Sequence, residues 1–313
     1  MTGETKVRIV EIGSNEEGQR LDNFLMKELK GVPKSRIYRL LRKGEVRVNK
    51  KRKKPSDRLS AGDQVRLPPI RVAEPAKASV PGQNLRELLE SSILFEDEAL
   101  LVIDKPTGLA VHGGSGLALG LIESLRAIRP EHEYLELIHR IDRETSGCLM
   151  LARSRKALVK MHEEMRNGGV RKEYEALTVG KWPSHLNTVD APLQKNELSS
   201  GERIVRVDQE GKHAETHFSV LQRYPGATLV RARLGTGRTH QIRVHTQLSG
   251  HSIAGDEKYG DKDAKAHFRK MGLRRLFLHA AFLEFRHPLS GDLLSIESPL
   301  PADLKTVLNN LSS

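Results

Sequence analysis

From Ile70 the chain reads Ile-Arg-Val-Ala-Glu-Pro-Ala-Lys-Ala-Ser-Val-Pro-Gly, with two prolines, small side chains and no apolar period. A segment of that kind does not run through a core. The 313 residues therefore cannot close around one centre, and the chain divides near residues 70–92. The expected organisation is an extension over 1–17, a small domain over 18–70, a linker over 71–92 and a large domain over 93–313. The sequence shows no internal repeat and no low-complexity segment.

Charge divides the chain at the same place. The net charge is +12. Residues 1–80 carry 20 Lys/Arg against 10 Asp/Glu, and the rest carry 32 against 30. Between Pro33 and Arg58 stand 12 basic residues and two acids, Glu45 and Asp57. A polyanion is the natural partner of such a patch. The other readings are a plain solvated face, or a membrane surface, which no aromatic-rich amphipathic helix supports. No apolar run has the length of a membrane span, and Met1 to Val10 lacks the apolar core of a signal peptide. Cys148 stands alone, which excludes an internal disulfide and a cysteine-rich zinc site. The expectation is a soluble cytoplasmic protein with no membrane partner.

In the small domain Leu21, Phe24, Leu25 and Leu29 recur at helical spacing. Pro33 ends that helix, and Ser35 is the expected N-cap of the next. There Ile37, Leu40 and Leu41 form an apolar face, with Arg36, Arg39 and Lys43 on another. After Gly44 the pattern alternates, with Val46 and Val48 against Glu45, Arg47 and Asn49, and then enters Lys50-Lys-Arg-Lys-Lys54. A last strand, Gln64 to Leu67, follows the turn Ala61-Gly-Asp63. The large domain alternates strand-like runs with helices. The strands expected are Ile93–Phe95, Leu100–Ile103, Leu135–Ile138, Cys148–Ala152 and Glu173–Val179, with a hairpin of Thr216–Tyr224 and Ala227–Leu234 about Pro225-Gly226. The helices expected are Leu117–Ile128, Arg155–Met165, Thr239–Leu248 and Ala302–Leu311. This pattern predicts an α+β fold: a small basic α/β module, then a domain on a mixed, largely antiparallel sheet.

The densest polar constellation is His139-Arg-Ile-Asp-Arg-Glu-Thr-Ser-Gly147, between two strand-like runs. Loops held by a rigid sheet commonly carry catalytic groups. Arg140 and Arg143 flank Asp142, and nearby positive charge keeps a carboxylate ionised when partly buried, as a nucleophile requires. A loop held by ordinary salt bridges and a Thr145-Ser146 turn accounts for the same residues equally well.

Arg20-Leu-Asp-Asn-Phe-Leu, Gly44-Glu-Val-Arg-Val-Asn and Leu59-Ser-Ala-Gly-Asp-Gln-Val resemble the RNA-binding module named for ribosomal protein S-four. The resemblance implies RNA contact through the second helix and the loop after it, by Lys34, Arg36, Arg39, Arg42, Lys43, Lys50, Lys51 and Arg52. Such cations suit phosphates and structured RNA. The His139–Gly147 run resembles the catalytic motif of the RluA family of pseudouridine synthases. Three other motifs follow the family's order: Ile103-Asp-Lys-Pro-Thr-Gly-Leu-Ala-Val-His112, Lys172-Glu-Tyr174, and Gly237-Arg-Thr-His-Gln-Ile-Arg-Val-His245. Ile141 and Glu144 depart from the commoner leucine and aspartate without removing a functional group. Gly31 to Gly44, Leu67 to Glu74 and Val111-His-Gly-Gly-Ser-Gly116 resemble a bacterial branch whose substrate is large-subunit (23S) ribosomal RNA.

The resemblance implies that Asp142 is the nucleophile, or acts at the detached sugar through a glycal, with Arg243 pairing and orienting it. It implies that Tyr174 stacks by the uracil and that its hydroxyl is a candidate acid or base. Arg140 would fill the space left by the flipped base. The reaction is an isomerisation of uridine and calls for no cofactor. The partner implied is 23S ribosomal RNA or a large-subunit assembly intermediate, and the family's habit is monomeric.

Two other functions compete. A non-catalytic ribosome-assembly factor that binds RNA would not need Asp142, Tyr174 and Arg243 as a set. A glycosidic hydrolase would show two carboxylates about a ring, where only Asp142 is evident. Among the remaining residues, His112, His139, His240 and His245 read as packing or RNA contacts and not as metal ligands. Gly113–Gly116 lacks the residues of a phosphate loop and reads as an RNA-facing loop. Lys105-Pro106 reads as structural.

Overall fold

A computed structural model of the chain describes residues 6–70, 81–113, 119–197 and 203–312. Most of the expected linker (71–80), Gly114 to Gly116 of the glycine loop, and the first two residues of the expected helix from Leu117 lie outside the described residues. The chain forms two compact units, Met1–Val80 with Ser154–Lys156, and Pro81–Arg153 with Ala157–Ser313.

The first unit contains β1 (Arg8–Glu11), α1 (Leu21–Glu28), α2 (Lys34–Lys43), β2 (Arg47–Val48) and β3 (Gln64–Leu67). Its sheet has the order β1-β3-β2, with both pairings antiparallel. The apolar faces read from the sequence form its core: Leu21, Phe24, Leu25 and Leu29 meet Ile37, Leu40, Leu41, Val46 and Val48. Two expectations need correction. The stretch 1–17 is not a bare extension, because β1 pairs with β3 and Ile12 is buried in the core. Pro33, not Ser35, occupies the N-cap of α2, as the fixed φ of proline allows a helix to begin directly after it. Gly44 ends α2 at φ 68°, a left-handed cap that favours glycine.

The second unit begins with α3 (Gln83–Ser91), β4 (Ile93–Glu96), β5 (Leu100–Lys105), α4 (Leu121–Ile128), β6 (Glu136–Leu137), β7 (Ser146–Ala152) and α5 (Arg155–Arg166). There follow β8 (Arg171–Val179), β9 (Thr188–Asp190), β10 (Leu193–Glu197), β11 (Arg203–Val207), β12 (Glu215–Tyr224), β13 (Ala227–Leu234) and α6 (Gln241–Leu248). The chain closes with α7 (Lys262–Lys270), β14 (Leu278–Arg286), β15 (Leu293–Glu297) and α8 (Ala302–Ser312). A ten-stranded sheet runs β4-β5-β7-β14-β8-β13-β12-β9, with β15 on β14 and β6 on β7. Within it β7 and β14 pair in parallel and the other pairings are antiparallel, so the sheet is mixed and largely antiparallel.

The middle strands are buried on both faces. Leu149 and Leu151 of β7 pack in one cluster, and Cys148, Met150 and Ala152 in another. That is the period-2 pattern of a strand between two layers. The helix α3 corrects the expected linker: Leu85 and Leu89, four residues apart, turn one face to the core.

Candidate active site

The loop between β6 and β7 carries Asp142, and two features hold it. Where β7 meets β14, Gly147 has φ 108° and a Cβ there would lie 2.3 Å from Ala280 O. Only glycine permits this approach at the loop's exit. On the other side, the fully buried Lys105 Nζ donates to three carbonyls: Pro106 at 2.8 Å, Leu109 at 2.9 Å and Arg143 at 3.1 Å. Thr107 Oγ1 donates to Glu144 O at 2.8 Å, and Arg143 Nε to Gly108 O at 2.9 Å. The first and second sequence motifs are thus one clamped loop pair. Burial pulls the Lys105 pKa down to about 7, against the charges of Glu144 and Asp142. Its three N–H groups each have a carbonyl, which is the arrangement of a structural ammonium.

Arg243 comes from the first turns of α6. Its Nη1 donates to Asp142 Oδ2 at 3.0 Å, while Nε and Nη2 each donate to Asp256 at 2.8 Å. Asp256 is fully buried and also accepts from the backbone N–H groups of Lys258 and Tyr259. Burial works to raise the Asp256 pKa, but the Arg243 bonds and these N–H groups outweigh it and hold it low. Burial likewise works against the charge on Arg243, and Asp256 with Asp142 raises its pKa in net.

Asp142, Tyr174, Arg243 and Arg140 line one cavity of about 250 Å³. That is just under the roughly 300 Å³ lower bound of ordinary small-molecule pockets, a space for one base. Tyr174 on β8 is buried, and burial, with the charge of Asp142, pushes its pKa up. Its hydroxyl therefore keeps its proton at neutral pH. Lys172 lines the cavity too, its pKa lowered by burial. Arg140 is exposed, 3.4 Å from Thr239 Oγ1, and lines this cavity and two neighbours of about 410 and 290 Å³.

The eight cations expected to touch RNA lie in the first unit. Five are on α2 and three follow β2, all exposed, and none is drawn into an ion pair among the described residues. Lys34 Nζ lies 5.8 Å from the Tyr38 ring centroid. The left-handed backbones of Asn49 and Lys50 turn the chain so that Lys50, Lys51 and Arg52 face solvent.

The four histidines go to separate places. His112 Nδ1 lies 3.1 Å from Gly113 O, and half-buried His139 accepts from Met150 N–H, its pKa lowered by desolvation to about 3. His245 is fixed between Thr216 Oγ1 and Ala191 O. His240 lies beside Asp142, Nε2 3.8 Å from Oδ2. A group sized for a metal ion, Asp190, His213 and Glu215, has ligand atoms within 4.8 Å of one another and includes none of the four. Sequence reasoning misses Asp256 and Tyr259 and gives His240 a packing or RNA-contact role. The polar run Asp256-Glu-Lys-Tyr259 after the apolar Ile253-Ala254 is the signal that points there.

The family model of RNA pseudouridylate synthases matches residues 99–248, and that of the S4 domain matches residues 19–65. The chain is 57% identical over 310 residues to ribosomal large subunit pseudouridine synthase C of Salmonella typhi, covering 98% of this chain and 97% of that one. It is 57% identical to the protein of that name from Escherichia coli K12, covering 97% of each. Among solved structures, human RNA pseudouridylate synthase domain containing 4 superposes with a TM-score of 0.60 at 30% identity, over 73% of this chain and 95% of that one.

Proposed function

The chain belongs to the RNA pseudouridylate synthase family, and on that premise we propose that it isomerises uridine to pseudouridine in 23S (large-subunit) ribosomal RNA, with Asp142 as the nucleophile. The observation that carries the assignment of the site is the convergence of Asp142, Tyr174 and Arg243 on one base-sized cavity. The N1–C1′ bond breaks, the uracil turns, and C5 joins C1′; the C5 proton leaves and N1 gains one, so no atoms are gained or lost. Both ways of releasing the base, attack on C1′ and withdrawal of the C2′ proton, call for a carboxylate at the sugar. Arg243 orients that carboxylate through a charge-assisted bond. Tyr174 lies beside the base as it turns, and its protonated hydroxyl can return a proton.

The target uridine leaves its stack to enter the cavity, at a cost of roughly a few kcal/mol. Arg140, at the junction of three cavities, takes the vacated place, since a guanidinium plane stacks on bases while its donors reach phosphate. The basic face of α2 and the loop after β2 supplies affinity for the RNA backbone. The protein works as a monomer in the cytoplasm, on free RNA or an assembly intermediate. Among the described residues no helix is long and apolar enough to cross a membrane.

The test is tritium release from large-subunit ribosomal RNA labelled at uridine C5, with wild type against Asp142→Asn. Release by wild type and none by the variant is the expected result. No release by either, with RNA still bound, supports the assembly-factor reading instead.

A further inference from the structure

The residue before α6 places one more group against the reacting carboxylate. His240 lines the same cavity as Asp142, its side chain 17% exposed, on a left-handed backbone with φ 53°. That conformation is uncommon outside glycine, and where it persists the surroundings hold the side chain in a required place.

A hydrogen-bond chain sets its tautomer. Val205 N–H donates to the Tyr259 hydroxyl oxygen at 3.0 Å, and that oxygen lies 2.8 Å from His240 Nδ1. The hydroxyl already accepts one hydrogen and has its own to place. Were Nδ1 to carry a hydrogen, the hydroxyl would accept twice and its own proton would have no acceptor among the described residues. So Tyr259 donates to Nδ1, and the ring's hydrogen sits on Nε2. Nε2 is 3.8 Å from Asp142 Oδ2, the oxygen that Arg243 Nη1 holds at 3.0 Å. Burial lowers the pKa of the ring; Asp142 and Asp256 oppose this, and Arg243 and Lys258 reinforce it. The ring is neutral at pH 7 and acts through its N–H.

We propose that His240 is a positioning residue for Asp142: its Nε2–H, fixed in place by Tyr259, donates to Oδ2 when bound substrate closes the gap. Catalytic hydrogen bonds that are long in the free enzyme tighten in the complex. His240 and Arg243 then form a two-donor cradle, one neutral and one cationic, that aims the carboxylate at the sugar. The inference rests on Asp142 as the reacting carboxylate.

The test compares His240→Leu, His240→Gln and Tyr259→Phe on large-subunit ribosomal RNA, beside nitrogen NMR of histidine-labelled protein. His240→Leu lowers kcat about tenfold to a hundredfold with KM unchanged, the worth of one hydrogen bond to a charged group. His240→Gln, whose amide donates from nearly the same point, recovers most of that loss. NMR finds the hydrogen on Nε2 in the wild type and spread over both nitrogens in Tyr259→Phe. Full kcat in His240→Leu, equal losses in the Leu and Gln variants, or a wild-type hydrogen on Nδ1 overturns the proposal. A wild type that forms no pseudouridine yet shows the Nε2–H tautomer overturns the functional reading first, and the role of His240 with it.

Discussion

Asp256 holds Arg243 by two hydrogen bonds of 2.8 Å through Nε and Nη2, leaving Nη1 free to reach Asp142. The guanidinium is thus a rigid bridge between a fully buried anchor and a partly exposed carboxylate, 0% against 24% exposed. A lysine, a single point charge, cannot span both.

Removing the anchor tests this bridge. Asp256→Ala strands a buried guanidinium and costs about 3–5 kcal/mol of stability, read by denaturant unfolding, with a fall in kcat. The pH dependence follows from the depressed Asp256 pKa. Its stabilisation is complete above the unfolded carboxylate value of about 3.9 and is lost as the pH falls through the lower folded value. Asp256→Asn flattens that acid limb.

Tyr174→Phe keeps the ring and removes the hydroxyl. If the hydroxyl moves a proton, kcat falls about a hundredfold while KM holds. Because the folded pKa is raised, Tyr174 adds no limb to the kcat–pH profile below about pH 10. Full turnover by the Phe variant removes the hydroxyl from the mechanism.

On the proposal that Arg140 takes the place of the flipped base, Arg140→Ala lowers kcat much more than it weakens RNA binding. Single-turnover rates and filter-binding affinities separate the two. Equal losses in both reject the role.

Lys105→Met keeps most of the volume and removes the donor of Pro106 O and Leu109 O, while Arg143 O keeps the Gly108 N–H at 2.9 Å. Each carbonyl left without a partner costs up to about 1–3 kcal/mol. The expected result is a lower melting temperature and a lower kcat, because the clamp on the Asp142 loop is gone, with RNA affinity unchanged.

Neutralising Arg36, Arg39 and Arg42 together removes three exposed cations from α2. Every phosphate that is no longer neutralised lowers the slope of log affinity against log salt by about 0.7–0.9, so a slope change near 2 is expected, with kcat at saturating RNA retained. An unchanged slope means that RNA does not lie on α2. A truncation meant to isolate the catalytic unit should begin at Pro81 and not near Leu94, because Leu89 of α3 belongs to its core.

The elements legible in the sequence are those with a clean period. The hairpin of β12 and β13, the strand β7 and the helices α1 and α2 stand within a residue or two of expectation. β14 is not legible although it lies in the middle of the sheet. Its run Leu278-His-Ala-Ala-Phe places a polar His279 at a position that is fully buried. Ser146 Oγ on one side and Ser298, through its O and Oγ, on the other satisfy that imidazole, and both are remote in sequence. The short β1 and α3 escape the sequence for a related reason, since neither buries a face until the rest of its unit is present.

The sequence by itself determined the two-part division, the basic character of the first part, and the motifs that single out Asp142, Tyr174, Arg243 and Arg140, because residue type and local order are enough for charge and motif. Tertiary structure alone decided that Arg243 turns its second edge to Asp256 and that Lys105 clamps the Asp142 loop. It alone also decided that Tyr259 sets the tautomer of His240. These pairings join groups 13, 38 and 19 residues apart. No local period encodes them; they exist only once the sheet has closed and burial has made every unpaired polar atom costly.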